Sequence, residues 1–259
     1  MKVDAFVFFD AVKHFWSTRN QQAVAQTARG ESDQGERSAV TGGQHMNGFL
    51  SAIIDLMVDH GVDRGEIFTK DADLPGFYRA TKLWDLVVIR GGVLLAAIEV
   101  KSQVGPSFGN NFNNRTEEAL GTAVDTWTAY REGAFRTSPA PWLGYLMLLE
   151  DCPRSRSPVR VSEPHFNVDR VFEKASYARR YEILCRRLVL ERQYSAACFL
   201  LADRTHAQDR PNYEEPAEDL NAAVFLDGLL RQVQPWSGKE SAEAKAQTKE
   251  KVEKQKPMV

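Results

Sequence analysis

Apolar residues recur along the chain at two different spacings, and each spacing predicts one type of element. Five segments carry apolar residues three or four positions apart, which is the period of an amphipathic helix. They are residues 3–29, 44–60, 116–131, 170–194 and 216–233. Continuous apolar runs predict buried strands over residues 143–150 and 196–202, and residues 66–70 are predicted to form a short first strand. This alternation predicts an α/β fold, a three-layer sandwich with a mixed central β-sheet flanked by helices.

The most informative stretch covers residues 83–103, where two β-branched, apolar runs flank Gly91-Gly92. This pattern predicts a β-hairpin. Three charged residues, Asp85, Glu99 and Lys101, interrupt the apolar runs. A charged side chain in a buried strand is costly unless it is paired or binds a cation, so these residues predict a functional site. The alternative is a surface hairpin with scattered charges.

The register of this hairpin decides whether the two carboxylates meet. A strict two-residue turn would place Asp85 opposite Ile98, with Glu99 on the other face. A three-residue loop, or a bulge in one strand, would instead place Asp85 opposite Glu99. We predict the second arrangement, because glycines at the tip permit it. The residues sharing the active face would then be Leu83, Asp85, Glu99 and Lys101.

The chemistry that needs such a set is phosphodiester hydrolysis. Asp85 and Glu99 can hold Mg²⁺ through oxygen atoms, and the carbonyl of Val100 is a plausible further ligand. The metal ion neutralises phosphate charge and acidifies a bound water. Lys101, two residues after Glu99, lies on the same strand face and can orient or deprotonate that water, or stabilise the developing charge.

These residues also carry a family resemblance. Asp85 followed by Glu99-x-Lys101 matches the PD-(D/E)xK nuclease motif, with Trp84 in place of the proline. The flanking text, Glu99-Val-Lys-Ser-Gln-Val-Gly-Pro-Ser-Phe-Gly-Asn-Asn-Phe-Asn-Asn-Arg115 and Ala39-Val-Thr-Gly-Gly-Gln-His-Met46, resembles the XhoI family of type II restriction endonucleases. The resemblance runs from the first helix to Trp236. It implies a restriction-endonuclease-like core and Mg²⁺-dependent cleavage of double-stranded DNA at a six-base palindrome. It suggests CTCGAG, cut to leave 5′ overhangs.

Two polar segments are candidates for DNA contact. Residues 30–43 form a loop that includes Arg37 and leads to Gln44, at the start of a helix. Residues 102–115 follow the catalytic strand directly, so they should lie near the scissile phosphate. Asn and Gln can pair with adenine and Arg with guanine, although Asn-rich loops are also simply turn-prone. The candidates there are Ser102, Gln103, Asn110, Asn111, Asn113, Asn114 and Arg115. Arg79 and Lys82 are expected near the site.

Length and charge limit the number of domains and the kinds of partner, but they do not indicate a mechanism. The 259 residues predict one domain over residues 1–236, with its core at about 44–203, followed by a charged, disordered tail over residues 237–259. A net charge of −2 does not favour DNA binding, but a local basic cleft would be sufficient. Three cysteines without metal-ligand spacing predict reduced thiols in a cytoplasmic protein, and no apolar run reaches membrane length.

A palindromic target predicts a homodimer, and a restriction enzyme implies a cognate methyltransferase that protects the same site. Two other functions remain open from the residues. One is a PD-(D/E)xK nuclease of DNA repair or junction resolution, and the other is a DNA-binding module without catalysis.

Overall fold

The computed structural model describes residues 7–28, 44–204 and 213–234, and within these ranges it contains six α-helices and eight β-strands. The helices are α1 (Phe9–Ala28), α2 (Asn47–Asp59), α3 (Phe108–Arg131), α4 (Pro153–Arg156), α5 (Tyr177–Leu190) and α6 (Ala222–Val233). The strands are β1 (Ile67–Phe68), β2 (Asp73–Pro75), β3 (Thr81–Leu83), β4 (Leu86–Arg90), β5 (Val93–Gln103), β6 (Trp142–Glu150), β7 (Ala196–Ala202) and β8 (Tyr213–Glu214). The predictions for Arg37 and for residues 237–259 lie outside the described residues, so the boundaries of the single domain stay predictions.

Six of these strands form one mixed sheet in the spatial order β1-β4-β5-β6-β7-β8, and β2 and β3 form a separate hairpin. The central pairs β5–β6 and β6–β7 are parallel, while β1–β4, β4–β5 and β7–β8 are antiparallel. Helices α3 and α5 make the connections between the parallel strands, which cannot be joined by a tight turn.

Buried side chains pack against both faces of the sheet. On one face Trp16, Phe49 and Phe225, from α1, α2 and α6, contribute to one apolar cluster. On the other face Ala123 of α3 and Tyr181 of α5 belong to a second cluster. Because strands β6 and β7 are covered on both sides, their residues read as continuous apolar runs. The predicted three-layer α/β sandwich is confirmed.

The central hairpin has both the two-residue turn and the bulge that were considered from the sequence. Gly91-Gly92 forms a two-residue turn with positive φ at both positions, and Arg90 pairs with Val93 across it. The register then shifts by one residue where Val88 pairs with Ala96 and Ile89 with Leu94, because Leu95 of β5 is the extra residue. Leu86 therefore pairs with Ile98. This shift is the predicted bulge. It allows a tight turn and still brings Asp85, which precedes Leu86, level with Glu99, which follows Ile98.

Helix α3 begins at Phe108, whereas the sequence predicted a loop as far as residue 115 and a helix from 116. The prediction was wrong because Asn-rich segments have weak helix propensity, and tertiary packing overrides propensity here. The ring of Phe108 stacks on Tyr177 at 5.6 Å between centroids, and Phe112 meets Tyr181 edge-on at 5.0 Å. The predicted DNA-contacting asparagines therefore project from the first two turns of a helix.

The β2–β3 hairpin covers mainly residues for which the sequence predicted neither a helix nor a strand. A buried carboxylate holds the connection between its strands. Asp125 of α3 accepts hydrogen bonds from the backbone N–H groups of Phe77 at 2.7 Å and Tyr78 at 2.8 Å. Its second oxygen accepts from Nε of Arg79 at 2.7 Å. Since β3 leads directly into Asp85, this hairpin also fixes the approach to the active-site candidates. None of the helices in the described ranges is long and apolar enough to span a membrane.

Candidate active site

The candidate site lies at the carboxyl end of β5, beside a cleft of about 1200 Å³. Strand β5 is buried and apolar over its first part and becomes polar from Glu99 onward. Because side chains alternate along a strand, Glu99 and Lys101 share the face covered by α3. Ser102 lies on the opposite face, toward the segment that precedes α2. The strand therefore leaves the core at the position where its charged residues begin.

The structure brings the three predicted catalytic side chains together. The backbone N–H of Val100 donates to Oδ2 of Asp85 at 2.8 Å, which fixes Asp85 against the edge of β5. The ammonium of Lys101 forms an ion pair with Oε1 of Glu99. The Glu99 side chain is only 5% exposed, so this carboxylate lies almost entirely away from solvent. The shifted hairpin register is the structural reason that Asp85 and Glu99 become neighbours.

Electrostatics distinguish the members of this cluster. Burial raises the pKa of Asp85, and the negative charge of Glu99 raises it further, against the lowering effects of Lys101, the Val100 N–H and Lys82. Burial opposes the charge on Lys101, but the carboxylates of Glu99 and Asp85 outweigh it and raise the pKa of this ammonium. Two carboxylates that repel each other in a buried place form an environment that a cation would stabilise.

The donor set fits a hard divalent ion. Asp85 and Glu99 provide carboxylate oxygens, and the carbonyl of Val100 lies between Glu99 and Lys101 in sequence. Mg²⁺ is commonly bound by one or two carboxylates, with waters and substrate phosphates completing its coordination. No group of three or more His, Cys, Asp or Glu side chains with metal-binding geometry occurs within residues 7–28, 44–204 and 213–234. A site of this kind would therefore depend on two carboxylates and on ligands from outside the protein.

A second lysine also contacts the cluster. Nζ of Lys82 lies 2.8 Å from Oε2 of Glu99 and 5.4 Å from the centre of the Trp84 ring. The sequence placed Arg79 and Lys82 together near the site, but only Lys82 contacts it, because Arg79 pairs with Asp125 instead. Each oxygen of Glu99 is thus paired with a different ammonium.

Comparisons with known proteins agree with this geometry. A family model described as restriction endonuclease XhoI matches residues 25–214. The type II restriction enzyme BstVI of Geobacillus stearothermophilus is 53% identical over 207 residues, which cover 78% of this chain and 92% of that protein. The chain belongs to the XhoI family of type II restriction endonucleases.

Two further members of the family match at similar levels. The type II restriction enzyme XhoI of Xanthomonas vasicola is 49% identical over 70% of this chain and 73% of that protein. The type II restriction enzyme AbrI of Azospirillum brasilense is 52% identical over 62% of this chain and 73% of that protein. No solved structure matches the chain. Membership of the XhoI family assigns the protein to the site-specific restriction endonucleases, and hence to the hydrolytic nucleases.

Most residues predicted to contact DNA line the cleft of this XhoI-family protein. These are Ser102, Gln103, Asn110, Asn111, Asn114 and Arg115. Gln44 and Asn113 are exposed but do not line it. Gln103 is 2% exposed, and its amide donates to the carbonyl of Val104 at 2.8 Å and accepts from Tyr181 at 3.4 Å. Its described contacts are therefore those of a side chain that supports the end of β5.

Basic side chains outnumber acidic ones in the lining of this cleft. Among its described lining residues, five are Lys or Arg and only Asp85 is acidic. The five are Arg19, Arg64, Lys70, Lys101 and Arg115. The local excess of positive charge contrasts with the net charge of −2 over the whole chain. Such a cleft focuses a positive potential on whatever anion enters it.

His45 is a cleft residue that the sequence analysis did not single out. It is 5% exposed, its Nε2 lies 3.2 Å from Oγ of Ser102, and its Nδ1 has no hydrogen-bond partner among the described residues. Burial lowers the pKa of His45 to about 4, and the charges of Arg19 and Arg115 add to the effect. The imidazole is therefore neutral at pH 7. The two residues of this pair are 57 positions apart, so local sequence patterns could not reveal their contact.

Proposed function

We propose that this protein hydrolyses phosphodiester bonds of double-stranded DNA at a six-base palindrome, using Mg²⁺. The observation that supports this best is the convergence of Asp85, Glu99 and Lys101 beside a cleft lined with basic residues. The family resemblance suggests CTCGAG as the target, cut to leave 5′ overhangs. A cytoplasmic location, a homodimer matched to a palindrome and a protecting methyltransferase belong to the same proposal.

In this mechanism Asp85, Glu99 and the Val100 carbonyl hold the metal ion. When bound, Mg²⁺ would neutralise phosphate charge and supply an acidified water. Without a metal ion, the carboxylates of Glu99 and Asp85 outweigh burial and raise the pKa of Lys101. In the working site Lys101 orients or deprotonates the attacking water, or stabilises the negative charge that develops on the phosphate.

The first turns of α3 are proposed to contact the DNA. Asn110, Asn111, Asn114 and Arg115 line the cleft, and amide and guanidinium groups can bond base edges in the major groove. The amino end of α3 also lies there, at Ser107, and its helix dipole favours a phosphate nearby. Ser102, Gln103, Gln44, Asn113 and Arg37 remain predicted contacts, with less support for Gln103 because its amide is used within the protein.

The test is digestion of DNA of known sequence with Mg²⁺, followed by mapping of the cut ends. We expect discrete fragments whose ends map within CTCGAG sites, and no cleavage in the presence of a chelator. Lys101→Met should reduce the cleavage rate roughly 10²- to 10⁴-fold, as expected for loss of a charge-stabilising group. The exposed Lys174 provides a matched control, since Lys174→Met removes the same charge away from the cleft.

Other outcomes would overturn parts of the proposal. A smear of fragments, or a preference for branched DNA, would favour a repair or junction nuclease. Binding without cleavage in Mg²⁺ would favour a non-catalytic DNA-binding module. Full activity of Lys101→Met would show that the role assigned to this lysine is wrong.

A further inference from the structure

We propose that Lys82 is a counter-cation built into the active site, which competes with the metal ion for Glu99 and makes metal binding depend on DNA. The inference rests on the proposed function, because it concerns the same carboxylates. It assigns Lys82 a positioning role that the nuclease motif does not include.

Three contacts hold the Lys82 ammonium in place. It lies 2.8 Å from Oε2 of Glu99, it donates to the carbonyl of Leu83, and it sits 5.4 Å from the centre of the Trp84 ring. The Lys82 side chain is 16% exposed and the Glu99 side chain 5%. Such a pair is far less screened by solvent than the surface ion pairs that contribute little. The contact therefore represents a substantial interaction for both partners.

The strand that carries Lys82 is itself fixed. Lys82 pairs with Leu74 across the β2–β3 hairpin, and the Trp84 N–H donates to the carbonyl of Ala72 at 3.1 Å. The loop between the two strands is anchored on Asp125, 48 positions away from Phe77. Lys82 therefore reaches Glu99 from a strand that is held in place by hydrogen bonds.

The charge of Lys82 affects metal binding because it completes the charge balance of the cluster. Asp85 and Glu99 bring two negative charges to the cluster, and Lys82 and Lys101 bring two positive charges. The cluster is therefore balanced before any metal binds. A divalent ion added to it would leave an excess of positive charge in a poorly solvated place, which is unfavourable.

A DNA phosphate would restore the balance. Its negative charge offers the Lys82 ammonium a second partner, so that Oε2 of Glu99 becomes available to the metal. Metal and DNA would then each strengthen the binding of the other, because such coupling is reciprocal. Without Lys82, the two carboxylates would retain one unmatched negative charge and would bind a divalent ion more tightly on their own.

The experiment measures Mn²⁺ binding to the full chain without DNA, by the electron paramagnetic resonance signal of free Mn²⁺. We expect Lys82→Met to raise the Mn²⁺ affinity about tenfold, which lies within the usual range of coupling between two ligands. Lys82→Arg keeps the charge and should bind Mn²⁺ as weakly as the parent. Lys70→Met removes one positive charge from the cleft lining away from Glu99, so its effect on Mn²⁺ affinity should be clearly smaller.

The outcomes separate this inference from the proposed function. If the parent and Lys82→Met are both folded by circular dichroism and bind Mn²⁺ equally well, the role of Lys82 is overturned. Cleavage by the parent would still support the nuclease. An equal gain in Lys70→Met would also overturn it, because the effect would then be one of general charge. If Asp85→Asn binds Mn²⁺ as tightly as the parent, the metal site itself is wrong.

Discussion

The buried carboxylate of Asp125 and the half-buried carboxylate of Asp85 show how differently a protein can use the same group. Asp125 accepts two backbone N–H groups on one oxygen and the Arg79 guanidinium on the other. Burial alone would raise its pKa, but the N–H groups of Tyr78 and Phe77 and the Arg79 guanidinium outweigh burial and lower it. This carboxylate is fully satisfied by the protein.

Asp85 is the opposite case. It accepts one backbone N–H, from Val100, and it faces a second carboxylate. Burial and the charge of Glu99 raise its pKa, so its ionised form is unfavourable in the protein alone. The contrast teaches that burial by itself does not mark a functional carboxylate. A lowered pKa indicates a structural role, whereas a pKa raised by a neighbouring acid indicates a site that needs a cation.

We expect the largest effect on cleavage from the variant Asp85→Asn. Removal of a metal-binding charge should reduce cleavage by at least about 10²-fold, in the range of a lost electrostatic group. Since the ionised Asp85 is unfavourable in the fold, the variant should be as stable as the parent or slightly more stable at pH 7. Cleavage rates and urea unfolding measure the two effects. A clear loss of stability would mean that Asp85 is a structural residue like Asp125.

Asp125→Asn should give the converse result. The amide can no longer accept the Phe77 and Tyr78 N–H groups and the Arg79 guanidinium together, so we expect a loss of about 2–3 kcal/mol in the free energy of unfolding. Cleavage per folded molecule should fall much less than in Asp85→Asn. Urea denaturation at several pH values checks this prediction. The difference from the parent should be constant above the pKa of an unperturbed Asp, about 4, and shrink below it as Asp125 is protonated.

His45 extends the comparison to a buried basic group, which is charged only when it is protonated, and it has the smallest expected effect. Its pKa is lowered to about 4, below the usual value of 6.5, so the unfolded chain binds the proton more tightly. The stability contributed by neutral His45 is therefore complete above about pH 6.5 and is lost as the pH falls toward 4. In His45→Gln, the pH dependence of stability in this window should be clearly reduced. His165→Gln, at an exposed position, is the matched control.

The sequence predicted those parts of the fold and site that depend on local pattern. Strand β7 was predicted with its observed bounds because its residues are buried on both faces and therefore uniformly apolar. The bulge in the central hairpin followed from one requirement, that Asp85 and Glu99 share a face. Both predictions used residues close in sequence, or chemistry that demands proximity.

The parts that could not be predicted depend on contacts between distant residues. The start of α3 is fixed by Phe108 and Phe112 against α5, not by the asparagines between them. The strands β2 and β3 have three residues each, too few for a periodic signal. On the buried face of α3, the residues are small, and Leu120 and Val124 are 41% and 42% exposed. Apolar spacing alone would have directed those two side chains into the core.

Strand β5 separates the proposed chemistry from the proposed recognition. Its pairing with β6 continues through Glu99 and Lys101 to Gln103, so the cleaving groups are fixed by regular sheet hydrogen bonds. The asparagines belong to α3, which begins five positions beyond the end of that strand. If the proposed function holds, we expect changes in the first turns of α3 to alter the preferred DNA sequence and to leave Asp85, Glu99 and Lys101 in place. Directed evolution toward new targets should begin at that helix, with the strand left unchanged.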